Sequence, residues 1–282
     1  MRALADRIAT AAFWGAALAL CALLAGILGF IVNRGWGVLS WEFLLEPPRD
    51  GMTGGGIWTP LLGTLELIAV SMSATVPIGI GTGLYFSEYA TDSLFTRVLR
   101  RSIRALAGVP SVVFGLFGLS LFVIFLGLGS SMLSASLTLA CLALPLMISA
   151  SEQAFRAVPG EYRDASYALG ATKWQTIRKV VFPSAAGTII TGVILSIGRV
   201  AGETAPIIFT GAAFYTPGPA RSLFDEVMAL PYHVYVLATA GTGIEATRGI
   251  QYGAILVLVG LVLGISSVGV WMRGRLNRNI EK

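Results

Sequence analysis

The chain has 282 residues, 55% of them apolar and 12% charged, and a net charge of +5; its mean hydropathy is +0.76. A soluble domain carries about twice that charged fraction, so the composition excludes a water-soluble globule and predicts an all-α polytopic membrane protein. The positive balance fits the loop excess of such a protein, not a nucleic-acid footprint. One histidine, His233, and two cysteines inside apolar runs, Cys21 and Cys141, supply neither a metal cluster nor a disulfide framework.

Arg2 and Arg7 precede the first apolar run, residues 9–32. It is uncharged and, at 1.5 Å per residue, crosses a core of about 30 Å with room for tilt. It is too long for a signal-peptide core, so a retained span is expected. Residues 33–58 are polar and glycine-rich, and Trp36, Trp41 and Trp58 suit a membrane interface. The second run, 59–86, contains Glu66 and then Pro77, Gly79, Gly81 and Gly83, the pattern of a kinked or closely packed helix. Residues 88–104 set four arginines against Glu88 and Asp92. The third run, 105–128, is broken by Pro110, and the fourth, 132–151, contains Pro145. The fifth, 185–214, holds Arg199 and Glu203. Residues 215–249 are polar, with a short amphipathic piece expected at 222–230 and His233 expected at a surface or interface. The sixth run is 251–271.

Six spans place both termini on one side. The N-terminus, the stretches after the second and fourth runs, and the tail hold 15 of the 20 lysines and arginines; the stretches after the first and fifth hold only Arg34, Arg49, Arg221 and Arg248. That asymmetry predicts an inner (plasma) membrane protein with cytoplasmic termini. The longest polar interruption, residues 152–183, falls on the same side. Asp164, Ala165, Tyr167 and Ala168 fit a short helix, Gly170 its C-terminal stop, and 171–181 a second helix, with Pro183 closing the segment. Two short helices about a glycine make a knob that fits a pocket in another protein; a solvated connector is the plainer alternative.

The chain has no GxxxxGK[ST] phosphate loop, no nucleophile elbow and no HExxH. It is therefore not expected to be an enzyme or to hold a cofactor or metal of its own. Passage across the membrane, or signalling, remains. Arg199 and Glu203, in SIGRVAGETAPIIF, stand four residues apart and about 15 and 19 residues into the fifth run, so they are expected well inside the bilayer on one helix face. Charges there are costly and face a protein interior or a watery cavity. One reading is a structural ion pair between packed helices. The other is a polar patch on a transport path, where the planar arginine fork suits an oxyanion such as phosphate and a nearby carboxylate keeps the hold weak enough for release. Thr204 would add a hydroxyl, and Pro206 would disturb the helix beyond. Glu66 either lies on the same path or partners a polar group on a neighbouring helix.

Asp164-Ala165-Ser166, Gly170 and Val180-x-Phe182-Pro183 match the spacing EAA-x3-G-x9-I-x-LP of the EAA loop in ABC importer membrane subunits. Asp164 stands for the glutamate, with a shorter reach. The stretches LAGVPSVVFGLFGL, LALPLMISASEQAFRAVP and GRVAGETAPIIFTG resemble the PstA-type permease of phosphate importers. The resemblance implies a six-span type I ABC importer permease. Residues 1–56 would form a first helix and outer loop, 57–273 the transmembrane domain with a five-helix core and the coupling loop 152–183, and 274–282 a cytoplasmic tail. It implies a PstC-type second permease, a PstB-type ATPase dimer that binds ATP and magnesium, and a PstS-type phosphate-binding protein. Glu161, Asp164, Ala165, Ser166, Gly170, Ala171 and Pro183 would carry ATPase coupling, and Arg199, Glu203, Thr204 and Glu66 the substrate path. Sulfate or molybdate suits an arginine equally well. A secondary transporter or sensor is the rival class, but no inverted repeat marks one.

Overall fold

The computed structural model describes residues 2–240 and 244–280. Helix α1 (Arg2–Gly35) leaves its side chains exposed all round over residues 10–30, as a lipid-facing helix must. It leans on α12 (Ile244–Ile280), where the Phe30 ring meets Tyr252 edge-on at 5.6 Å. The following stretch folds into α2 (Trp41–Leu45), whose first turn is capped by Ser40, and a two-residue ladder of β1 (Pro48–Arg49) with β2 (Gly54–Gly55).

Helix α3 (Trp58–Leu84) ends in a π-helical turn, Tyr85–Tyr89. Gly79 and Gly83, one turn apart, press on α6 (Met132–Arg156): a Cβ on Gly79 would collide with Met147, and one on Gly83 would lie 2.6 Å from Ser151 Cβ. The contacts advance together along both helices, so α3 and α6 run parallel. Gly81 meets nothing and plays no part in this seam. Two-thirds of the apolar window of α6 is buried, which makes it the axis of the bundle. One core cluster joins Leu67, Met72, Leu139, Val200 and Ile207; a second, nearer the basic end, joins Met147, Phe155, Val181 and Ile189.

The third apolar run is not one straight span. Helix α4 (Leu94–Leu106) is followed by a turn and by α5 (Ser111–Gly118), which continues as a π-helical turn to Phe125. The two halves are bent by 103°. Pro110 forces the bend, because it lacks an N–H and pushes Val109 out of the helical region. Helix α4 carries four arginines and exposed Leu94, Phe95 and Val98, a pattern that suits a membrane boundary. Among the described residues, five helices are long and apolar enough to span, or six with the bent pair counted as one span.

The polar stretch 152–183 is mostly helix. Residues 152–156 complete α6, and α7 (Gly160–Ala168) follows. Next, α8 (Lys173–Thr176), a π-helical turn Ile177–Val181 and α9 (Phe182–Gly202) form one continuous helix of 30 residues. Pro183 therefore does not close a loop. It lies inside a helix whose π turn, just before it, takes up the missing hydrogen bond and the ring's bulk. The expected fifth span, 185–214, stops at Gly202. Helix α10 (Ala205–Ile208) is a separate turn. The amphipathic piece expected at 222–230 is absent; that stretch is irregular, pinned by a bridge between Ala212 and Val227. Helix α11 (Leu230–Thr239) begins only there, with the Leu230 N–H donating to Thr64 Oγ1 at 2.8 Å. His233 is 2% exposed, not a surface residue. Helix α12 packs on α9 through Gly269, set against Ile194, and runs through most of the expected tail; Glu281 and Lys282 lie outside the described residues.

Candidate functional site

Helix α9 breaks at Glu203. Its backbone there is extended, with φ −80° and ψ 124°, and the Glu203 N–H reaches the Val200 carbonyl at 3.3 Å. The two charged residues thus do not share a helix face as expected: Arg199 lies in the last turn of the helix, and Glu203 is its non-helical C-cap. They still pair, Arg199 Nε to Glu203 Oε1 at 3.6 Å, with side chains 28% and 20% exposed. That separation is an ion pair but too long for a hydrogen bond. The guanidinium is also well placed beside the last carbonyls of α9, at the negative end of the helix dipole. Thr204 precedes α10, and its hydroxyl caps nothing.

The site sits farther along the helix than the sequence suggests. About 30 Å of helix separates Lys179 from Arg199, because the helix begins at Lys173 and not at residue 185. Val200 accordingly shares its cluster with Met132 and Ala135, in the first turn of α6. Arg199 therefore lies toward the end of the bundle opposite the basic loops. Glu66 stands apart on α3, although its neighbour Leu67 belongs to that cluster. Its Oε2 is buried with no hydrogen-bond partner among the described residues.

The break is held by close packing. A Cβ on Gly115 would lie 2.7 Å from Phe209 Cδ2 and 3.0 Å from Pro206 Cα, so α5 accepts α10 only because residue 115 is glycine. A Cβ on Gly211 would strike the Ser131 carbonyl. Two stretches singled out separately in the sequence, around Gly115 and around Pro206, are thus two faces of one contact.

At the other end of α9 stands the knob. Gly170 has φ +80° and ends α7 in a Schellman motif: its N–H reaches the Tyr167 carbonyl at 2.9 Å and the Ala171 N–H reaches the Ser166 carbonyl at 3.2 Å. Thr172 and Gln175 then form a reciprocal capping box that starts α8. The hydroxyls of Ser166 and Thr176 hydrogen-bond at 2.9 Å and tie the two helices together. Glu161, Asp164 and Ala165 are exposed. So are large apolar side chains: Tyr167, and three to which the sequence assigned no role, Tyr162, Trp174 and, at 89%, Leu169.

The knob is fastened to the bundle by a clasp that was also not foreseen. Arg163 Nη2 donates to Glu88 Oε1 at 2.7 Å and to the Phe155 carbonyl at 2.9 Å, and Nη1 donates to the Val158 carbonyl at 2.7 Å. Lys173 donates to the Glu88 carbonyl and lies over the Tyr89 ring at 4.5 Å. These cations satisfy carbonyls that helix ends leave open, and they sit at the negative ends of two parallel dipoles. Beside them, Glu152 accepts ion pairs from Arg100 at 2.8 Å and Arg156 at 2.9 Å. The only signal in the sequence was Glu88, the first charge after a long apolar run.

Residues 76–282 match the family model described as "Binding-protein-dependent transport system inner membrane component". The chain is 34% identical to a probable ABC transporter permease protein, YqgI, of Bacillus subtilis (strain 168), over 96% of each chain. It is 36% identical to the phosphate transport system permease protein PstA of Mycobacterium leprae (strain TN), over 96% of this chain and 90% of that one. Among solved structures it resembles an inward-facing MetNI methionine ABC transporter, with a TM-score of 0.62, 19% identity and coverage of 78% of this chain and 97% of that one. It also resembles a bacterial ABC transporter involved in import of alginate, with a TM-score of 0.58, 13% identity and coverage of 92% and 95%. The fold is that of a type I ABC importer permease, and the chain belongs to the family of binding-protein-dependent transport system inner membrane components.

Proposed function

We propose that this chain is the PstA-type permease of an ATP-driven importer that carries inorganic phosphate into the cytoplasm. The observation that carries the reading is Arg199: a permanent cation at a helix break, held by a loose ion pair, in a chain whose relatives include phosphate transport permeases. A guanidinium offers a phosphate two parallel donors, and Glu203 at 3.6 Å limits the hold. Thr204 offers a further donor. Glu66 supplies a carboxylate at similar depth, which disfavours anions that stray from the arginine.

The excess of arginine and lysine at the knob end makes that end cytoplasmic, together with both termini. The knob then faces a PstB-type ATPase dimer, which binds ATP and magnesium; this chain hydrolyses nothing. Glu161, Asp164, Ala165 and Ala171 present polar and small contacts, and the exposed apolar side chains around them suit burial in a groove. Ser166 and Gly170 shape the knob from within. Pro183, one helical segment away, contributes to coupling only through the helix it stands in. A PstC-type permease completes the pore, and a PstS-type binding protein delivers phosphate at the Arg199 end. The ATPases close on ATP and draw the knobs together, the helix bundles rock outward, and hydrolysis in the ATPases resets them.

The test is ATP-dependent uptake into vesicles by the whole complex, with Arg199→Glu beside wild type and sulfate as the second cargo. Phosphate uptake that vanishes in the variant, with the complex still assembled, is expected. Phosphate uptake that survives the reversal refutes the role of Arg199. Sulfate or molybdate uptake without phosphate uptake would keep the machine and replace the cargo.

A further inference from the structure

Two cavities meet at the basic end of the bundle. One, of about 330 Å³, lies between α4 and the last turns of α6; Arg97, Arg100, Arg101, Arg104 and Arg156 line it against one carboxylate, Glu152. The other, of about 420 Å³, lies between α5 and α6 and is lined by apolar side chains that include Leu106, Val113, Phe117 and Leu144. They share Ile103 and Ile148, so a cationic cavity and an apolar cavity lie side by side on those two residues. The 103° bend sets α4 and α5 at a corner against α6, and both cavities lie there.

The charges are unevenly committed. Arg100 and Arg156 share Glu152, and Arg97 stands 3.6 Å from the exposed Asp92. Arg101 and Arg104 meet no carboxylate among the described residues; Arg104 Nε reaches only the Arg100 carbonyl, at 3.3 Å. Two guanidinium groups with no carboxylate partner among the described residues, beside an apolar cavity, fit one kind of molecule. A small soluble anion has no use for the apolar cavity, and a neutral lipid has none for the arginines. Basic pockets between membrane helices bind anionic headgroups, and the arginine fork matches phosphate oxygens. We propose that this two-part cavity binds an anionic phospholipid, its phosphodiester on Arg101 and Arg104 and an acyl chain along Val113 and Phe117. The lipid would wedge the bent pair against α6, next to the clasp, whatever cargo the importer carries.

The test uses the full chain in neutral detergent, offered phosphatidylglycerol and phosphatidylcholine together, with bound lipid counted by native mass spectrometry. Wild type is expected to retain one phosphatidylglycerol in preference to phosphatidylcholine. Arg101→Gln/Arg104→Gln should bind it about 30-fold more weakly, roughly fivefold for each charge removed at an anionic surface. Arg101→Lys/Arg104→Lys, which keeps both charges, should recover most of the binding and so separates lost affinity from misfolding. Val113→Trp, which fills the apolar end and leaves the arginines, should also lose the lipid. Equal retention of both lipids, or wild-type retention by the Gln double variant, overturns the proposal. Displacement of phosphatidylglycerol by millimolar inorganic phosphate overturns it too, and marks the arginines as a site for free phosphate.

Discussion

Glu88→Gln keeps the shape of the clasp and removes its negative charge. The Glu88 side chain is 7% exposed and that of Arg163 19%, so the pair is largely shielded from water. Breaking a fully buried pair costs about 3–5 kcal/mol. Here Arg163 keeps the Phe155 and Val158 carbonyls and some solvent, so we expect about 2 kcal/mol, near the middle of the range for one charge-assisted hydrogen bond. That is about a 30-fold rise in the population of an opened knob. Hydrogen–deuterium exchange on the assembled importer reads this directly. Amides of residues 160–172 should exchange about 30-fold faster, while those of α11, which packs on the opposite end of α3 through Thr64, hold steady. Combining Glu88→Gln with Arg163→Gln should cost less than the two single changes summed, because both remove one interaction. Unchanged exchange at the knob, or strict additivity of the pair, would refute the clasp. If exchange rises as expected, ATP hydrolysis should persist with less uptake per ATP.

Gly115→Ala places a methyl against Phe209 and Pro206; overpacking at a backbone contact costs about 1–3 kcal/mol, and thermal unfolding in detergent should show it, whereas Gly81→Ala, facing open space, should not. His233 gives a pH dependence. Burial lowers its pKa from the ordinary 6.5 to about 4, so the folded chain keeps the ring neutral while the unfolded chain takes up a proton below 6.5. Stability is then full above pH 6.5 and falls as the pH drops toward 4, by about 2 kcal/mol at pH 5. His233→Leu should flatten that part of the melting-temperature profile; an unaltered profile would show that other groups carry it.

What could be read from the sequence follows the length of the signal. Long uncharged runs announced helices of spanning length, and Gly170 announced the end of α7, because a left-handed residue after a short helix is a local requirement. Gly79 and Gly83 foretold close packing for a different reason, the missing Cβ that lets α6 approach. The break at Glu203 was hidden, since residues 185–214 are apolar enough to read as one span and Pro206 alone does not say where the hydrogen bonds stop. Pro183 misled in the opposite sense: a proline ends most helices, but a wide turn at residues 177–181 lets this one continue. The clasp was illegible because Glu88 and Arg163 are 75 residues apart, and only the parallel packing of α3 on α6 brings both helix ends to one cation. His233 looked superficial because a polar stretch suggests a surface, yet α11 packs against α12 and α3, and His233 is buried.

The knob and the break occupy opposite ends of one rod. The helix Lys173–Gly202 is about 45 Å long, and it meets the bundle axis closely at Gly192, where a Cβ would lie 2.7 Å from Ala150 Cβ. Taken as a fulcrum, Gly192 leaves a long arm of about 28 Å toward Lys173 and a short arm of about 10 Å toward Arg199. A sideways push of about 3 Å at the knob then moves Arg199 by about 1 Å the other way, with the force multiplied nearly threefold. The gearing trades distance for force, and the π-helical turn and Pro183 both lie on the long arm.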